Sequence, residues 1–244
     1  MTRYARQIIL PEIGSEGQRR LSSAKVAVIG AGGLGSPVLY YLASAGVGVV
    51  HIFDSDTVEL TNLNRQFIHF QSDIGREKSQ SAKEKLERYN KDIQVSASTV
   101  RLDAENVRVL LAGFHLALSC VDNTKTRYLL NSACAQSGIP LVDGGIRGFE
   151  GYVLSVTPGV TPCYQCIFPG KGQWENADVS RQHVESAGVL GAAAGILGSM
   201  MALEAIKHIA GIPIQPHFYY VDLLSCGITP ITAKRVPDCP ACGI

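Results

Sequence analysis

At 244 residues the chain can bury the core of one large domain, and 22 basic against 21 acidic side chains leave no charge excess to hold nucleic acid or an anionic membrane. No apolar run of 18 or more residues escapes polar interruption, so no membrane span is expected. The most apolar stretch, residues 187–202, is rich in Gly and Ala and leads into Glu204 and Lys207, as a buried helix would.

Residues 1–22 form an N-terminal arm with Arg3, Arg6, Arg19 and Arg20 around Ile8, Ile9 and Leu10. Thr2, Arg3 and Arg6 have no signal-peptide core behind them, so a cytoplasmic setting is the expectation. Composition favours a solvated arm packed across a sheet over one in which Arg3 or Arg6 reaches a phosphate site. The β-branched run at 26–30 predicts a fully buried parallel strand. It ends in GAGGLG, where Gly30, Gly32 and Gly35 have the G-x-G-x-x-G spacing. Those glycines serve a tight turn, close approach of backbone to a phosphate, and close packing of the next helix, expected over 33–45. That helix would aim free N–H groups and its positive dipole end at the phosphate. A second apolar strand, 48–53, ends at Asp54, where a ribose-binding acid belongs.

The following loop, DSDTVELTNLNRQF over 54–67, sits where an open α/β sheet binds ligands. Asp54 suits ribose hydroxyls; Asn62 and Arg65 supply a neutral donor and a guanidinium fork for phosphate oxygens. Together with Asp56 they look like a triphosphate-handling loop; a merely solvated polar loop is the alternative. Lys78, inside a charged surface helix at 75–90, can reach β- and γ-phosphates, although a lysine there is more often a surface residue. A strand at 93–100, a short helix at 104–111, a buried strand at 115–120, a helix at 124–137 closed by Gly138 and a strand at 139–143 follow. Asp122, at the carboxyl end of a buried strand, can hold Mg²⁺ bridging phosphates. Alternatively Asp122 or Asn123 caps the next helix, and both can hold with Asp122 on the metal and Asn123 capping.

The period then changes, and antiparallel strands are expected at 151–156, 218–223 and 226–234. No linker divides the chain. The expectation is a single α/β domain over 1–244: a Rossmann-like doubly wound sheet, parallel in its N-terminal half and extended by antiparallel strands. Seven cysteines are too few for a disulfide framework. Two pairs, Cys163/Cys166 and Cys239/Cys242, have the spacing of a four-thiolate site, which suits structural Zn²⁺ because no coordination position stays open.

RYARQ, GAGGLG, DSDTVELTNLNRQ, a lysine shortly after Ile74-Gly75, CVDN, CYQC and CPAC occur in that order. In this the chain resembles, over essentially its whole length, the ThiF/MoeB/HesA family, bacterial relatives of the ubiquitin-activating enzymes. The resemblance implies ATP over Gly30, Gly32 and Gly35, ribose on Asp54, phosphates among Asp56, Asn62, Arg65 and Lys78, and Mg²⁺ on Asp122. It also implies that Arg6 reaches the active site of the other subunit of a homodimer, which reverses the preference from composition. The catalytic set is then Arg6, Arg65, Lys78 and Asp122. The implied activity is adenylation of the C-terminal Gly-Gly carboxylate of a small ubiquitin-like sulfur-carrier protein, with release of pyrophosphate. Sulfur transfer in thiamine, molybdopterin or related biosynthesis would follow.

One departure stands out. The sulfur-carrier adenylyltransferases of that family have a cysteine before an Ala-Gly-Val turn, and here Val184 occupies that place. Adenylation without a covalent link to the carrier is therefore expected, with sulfur from a separate donor. Cys120, Cys134 and Cys226 read as structural, the last at the start of a strand. Residues 170–186 read as a mobile crossover loop, and Arg147 and Glu150, among Gly144, Gly145 and Gly148, as lining for the carrier's tail. Three rivals stand beside it: an NAD-dependent oxidoreductase, a tRNA threonylcarbamoyladenosine cyclase that also adenylates a carboxylate, and a non-catalytic dimer scaffold that has kept the fold.

Overall fold

Alternate residues of the first strand, β1 (Lys25–Ile29), belong to two different cores, and that alternation sets the architecture. Val26 and Val28 pack on one side of the sheet with Val38, Leu42 and Leu197. Ala27 and Ile29 pack on the other with Leu111, Leu130 and Leu141. A strand apolar on both faces must be covered on both, as parallel sheets are. The computed structural model describes residues 3–170 and 188–243.

Four further strands run parallel to β1: β2 (Val49–Phe53), β3 (Gln94–Ser98), β4 (Leu116–Ser119) and β5 (Leu141–Arg147). Antiparallel β6 (Glu150–Val156), β7 (His217–Asp222) and β8 (Gly227–Thr232) extend the sheet. The spatial order is β3-β2-β1-β4-β5-β6-β7-β8. Chain direction across the sheet reverses between β1 and β4, where Ile29 pairs with Ser119. An open α/β sheet binds ligands at such a crevice, outside the carboxyl ends of the strands.

Helices α1 (Ala5–Ile8) and α2 (Gly14–Ser23) precede β1. Then come α3 (Gly35–Ala45), α4 (Lys78–Tyr89), α5 (Val107–Leu111), α6 (Thr124–Ser137), α7 (Tyr164–Ile167) and α8 (Gly191–Ala210). By length and composition α8 is apolar enough to cross a membrane, yet one side of it packs on α3, α2 and β5. Its small residues allow this. A Cβ on Gly198 would lie 2.4 Å from Pro37 Cγ and 2.5 Å from the Leu34 carbonyl, so only glycine lets the two helices meet there.

Two expectations need correction. The N-terminal arm packs on a helix and not across the sheet: α2 buries Gly17, Gln18 and Leu21 and packs on α8. Gln7 and Gln18 both donate to the Ala45 carbonyl at the end of α3 (2.8 and 3.1 Å), tying both helices to that end. Cys226 does not open the last strand; it is exposed in the turn after Asp222 with φ of 54°, and β8 begins at Gly227.

Candidate active site

The glycine turn connects β1 to α3 at the crevice between β1 and β4. Gly30 has φ of 101°, and a Cβ on it would lie 2.6 Å from the Cys120 carbonyl oxygen. A Cβ on Gly35 would lie 2.1 Å from the Gly30 carbonyl oxygen. These two glycines are demanded by the fold itself. Gly32 is different: its Cβ would meet nothing closer than Gln66 Nε2 at 3.5 Å, so the protein leaves free the space that a ligand would use. Among the described residues, the Gly32 and Gly33 N–H groups have no acceptor.

Asp54, one residue past β2, is committed to the turn. Its Oδ2 accepts from the Ala31 N–H at 2.7 Å and its Oδ1 from the Asp56 N–H at 2.9 Å. Burial pushes its carboxyl above the ordinary value, and those two donors only partly offset the rise.

Ser55, Asp56, Asn62, Arg65, Lys78 and Asp122 line a polar cleft of about 480 Å³ at the carboxyl ends of the strands, so the residues expected around phosphates do come together. Lys78 is no surface residue: its side chain is 9% exposed and its Nζ lies 3.0 Å from Asp56 Oδ2, across 22 positions of sequence. Its backbone N–H also donates to the Asp56 carbonyl at 2.9 Å, fixing the start of α4 to the loop. Asn62 Oδ1 accepts from the Glu59 N–H at 3.1 Å. Arg65 Nη1 donates to the Thr61 carbonyl and to Asn64 Oδ1, both at 3.0 Å, and among the described residues no carboxylate lies within ion-pair distance of it.

Asp122 is exposed and, among the described residues, without hydrogen bond or ion pair. Asn123 is the helix cap, accepting from the Thr126 N–H at 2.9 Å, so the division of labour between the two neighbours holds on the capping side. Arg6 is not in this cleft. Gln7 and Tyr4 fix α1 at the far end of α3, whose 11 residues span about 16 Å from the glycine turn. Arg147 and Glu150 pair across the β5–β6 hairpin, and the Gly148 N–H donates to the Gly188 carbonyl at 3.0 Å. The crossover segment expected at 170–186, Val184 with it, lies outside the described residues apart from Gly170.

Three groups were not singled out from sequence. Gln66 is buried under the turn with its Oε1 unpartnered among the described residues. His69 is 3% exposed and contacts the Ala31 carbonyl. Arg127, on α6, donates to the Val121 carbonyl next to Asp122, to the Gly144 carbonyl at 2.6 Å and to Asp143 Oδ2 at 3.1 Å. Tyr152 completes that buried cluster by donating to Asp143 at 2.7 Å. Arg127 thus ties the loop carrying Asp122 to β5.

The four paired cysteines converge, with their sulfurs all within 4.8 Å of one another. Cys163 and Cys239 are 3.6 Å apart, Cys166 and Cys242 3.5 Å, Cys163 and Cys166 3.8 Å. A tetrahedron of zinc–sulfur bonds of about 2.3 Å sets sulfurs about 3.8 Å apart, and disulfides are far shorter, so the residues fit a Zn²⁺ ion. Asn131 Nδ2 donates to Cys163 Sγ and the Val236 N–H to Cys166 Sγ, both at 3.4 Å. Such outer donors orient thiolate ligands. Burial pushes the Cys120 thiol up and the Cys134 thiol to about 12, as structural thiols require.

The ThiF family model matches residues 4–241. A sulfur carrier protein adenylyltransferase of Thermus thermophilus is 42% identical over 250 residues, spanning 100% of this chain and 91% of its own length. The sulfur carrier protein ThiS adenylyltransferase of Escherichia coli is 38% identical over 243 residues, spanning 99% and 94%. Among solved structures, Escherichia coli MccB with ATP gives a TM-score of 0.85 over 100% of this chain and 75% of that one, at 24% identity, a likeness of fold.

Proposed function

The chain belongs to the ThiF family and is an enzyme of the nucleotidyltransferase class; from that premise we propose that it adenylates the C-terminal Gly-Gly carboxylate of a small ubiquitin-like sulfur-carrier protein at the expense of ATP. One observation carries the reading: two cations, Arg65 and Lys78, share a single polar cleft with the carboxylate of Asp122, beside a glycine turn, and among the described residues neither that carboxylate nor the Gly32 and Gly33 N–H groups have a partner. An NAD-dependent oxidoreductase has no use for that trio. ATP lies over Gly30, Gly32 and Gly35, its ribose toward Asp54 and its phosphates among Asp56, Asn62, Arg65 and Lys78. Asp122 is the residue that would hold Mg²⁺, which when bound supplies charge neutralisation on the phosphates.

In the reaction a carboxylate oxygen of the carrier forms a bond to the α-phosphorus, the bond to the β-bridging oxygen breaks, and pyrophosphate leaves with that electron pair. The nucleophile is already ionised, so no general base is required. Catalysis rests on alignment and on Arg65 and Lys78 neutralising charge on the departing group. Val184 carries no thiol, so sulfur reaches the activated carrier from a separate donor, for thiamine, molybdopterin or related biosynthesis. Zn²⁺ on Cys163, Cys166, Cys239 and Cys242 is structural.

The enzyme works as a cytoplasmic homodimer in which Arg6 serves the neighbouring subunit's cleft. Two features support this: α1 sits at the far end of α3 from its own cleft, and Pro37, Tyr41, Phe67, Ile196 and Leu203 line an apolar groove of about 460 Å³ between α3 and α8. Tyr41, Phe67 and Leu203 are 51%, 49% and 56% exposed, a patch suited to a second copy.

The test is ATP–pyrophosphate exchange with a Gly-Gly-ended carrier. Asp122→Ala is expected to lose at least about 100-fold in exchange while its melting temperature stays put. Wild-type exchange in that variant removes Asp122 from the metal. Exchange stimulated by threonylcarbamoylated tRNA, and not by the carrier, moves the assignment to the cyclase.

A further inference from the structure

His69 lines no part of the polar cleft, yet it touches the glycine turn at the end of a hydrogen-bond chain whose direction is fixed by the carbonyl it meets there. Lys85 Nζ has only protons to give, and it lies 2.5 Å from Asp73 Oδ2, 3.2 Å from the Ser81 carbonyl and 2.7 Å from Ser81 Oγ. Ser81 Oγ therefore accepts from Lys85, and its own proton has two acceptors in reach, the Asp73 carboxylate and His69 Nδ1, the latter 2.9 Å away. The other end decides between them: a carbonyl oxygen only accepts, so Nε2, 2.9 Å from the Ala31 carbonyl, carries the proton of the neutral ring, and Nδ1 accepts from Ser81. The other tautomer would set a nitrogen lone pair against a carbonyl oxygen.

Ala31 is thus held at both ends, its N–H by Asp54 and its carbonyl by His69. The peptide that follows is planar and trans, so the Ala31 carbonyl and the Gly32 N–H point in opposite directions. Anchoring the carbonyl on His69 turns the Gly32 N–H to the other side, where it has no acceptor among the described residues. Burial holds the imidazole down to about 4, helped by Lys85 and Lys78 and only partly offset by the Ala31 hydrogen bond and Asp73, so the ring stays a neutral one-way donor at working pH.

We infer that His69 is a positioning residue of the nucleotide cradle: the chain Lys85 to Ser81 to His69 to the Ala31 carbonyl presets the Gly32 N–H toward the phosphates of ATP. This rests on the ATP reading above, and its test separates the two. Two-bond proton–nitrogen correlation spectra of the full chain, with the resonance identified by its loss in His69→Leu, are expected to show a neutral ring protonated on Nε2. Calorimetry with a non-hydrolysable ATP analogue is expected to give a Kd raised about tenfold in His69→Leu and about threefold in Ser81→Ala, which removes one hydroxyl and keeps the measurement available if the leucine variant does not fold. A ring protonated on Nδ1, or wild-type affinity in both variants, overturns the inference and leaves the ATP reading standing. A wild-type protein that does not bind the analogue overturns both.

Discussion

His69 shows how one side chain links stability to pH. Its folded value of about 4 lies below the ordinary imidazole value of about 6.5, so in that window the unfolded chain binds the extra proton. Stability is then whole above about pH 6.5 and drains away as pH falls toward 4, by about 2–3 kcal/mol from this group. Urea midpoints at pH 7 and pH 4.5 check this: the wild type is expected to lose more on acidification than His69→Leu, and equal losses would refute it. Residue roles of this kind were hard to read beforehand because partners lie far apart in sequence. Lys78 looked like a surface lysine since its acid, Asp56, sits 22 positions upstream. His69 meets Ala31 across 38 positions, with no local pattern to announce it. Asn123 was legible as a cap because its partner, Thr126, is three residues away.

At the scale of an element, the glycine turn separates what the fold needs from what a ligand needs. Gly35→Ala would drive a methyl into the Gly30 carbonyl, and a loss above about 2 kcal/mol is expected. Gly32→Ala meets only Gln66 at ordinary contact distance, so its melting temperature is expected to stay within a few degrees while ATP-analogue affinity falls at least about tenfold. Thermal melts beside calorimetry decide it, and parallel losses in both variants would refute the distinction. The strand runs and the glycine spacing were legible because burial on both faces and backbone crowding write directly into residue choice. Helix α2 was not: it is polar on the whole and buries only Gly17, Gln18 and Leu21, so few apolar side chains mark the face it packs on α8. The β7–β8 turn was displaced onto the expected strand because Asp222 ties it off, its carboxylate accepting from Leu224 N–H and Ser225 Oγ.

For the whole molecule, the proposed dimer, with Arg6 serving the neighbouring cleft, would make the site a property of two chains. In a two-fold dimer, mixing Arg6→Ala with Asp122→Ala subunits gives half mixed dimers, each with one intact site, so about a quarter of wild-type exchange is expected from two inactive parents. No recovery on mixing, measured after subunit exchange, would put Arg6 back in its own chain. The cysteine cluster has a consequence of another kind. Cys163 and Cys239 meet across 76 positions, so a bound ion closes a large loop containing α8, β7 and β8. An ion that binds only the folded chain stabilises it in proportion to the logarithm of its free concentration. The melting temperature is then expected to climb with buffered free zinc and to fall by several degrees under chelator, with Cys239→Ser insensitive to both. With zinc in that cluster, the supply of one trace metal would become a thermodynamic variable of the fold, setting how much of this protein a cell keeps folded.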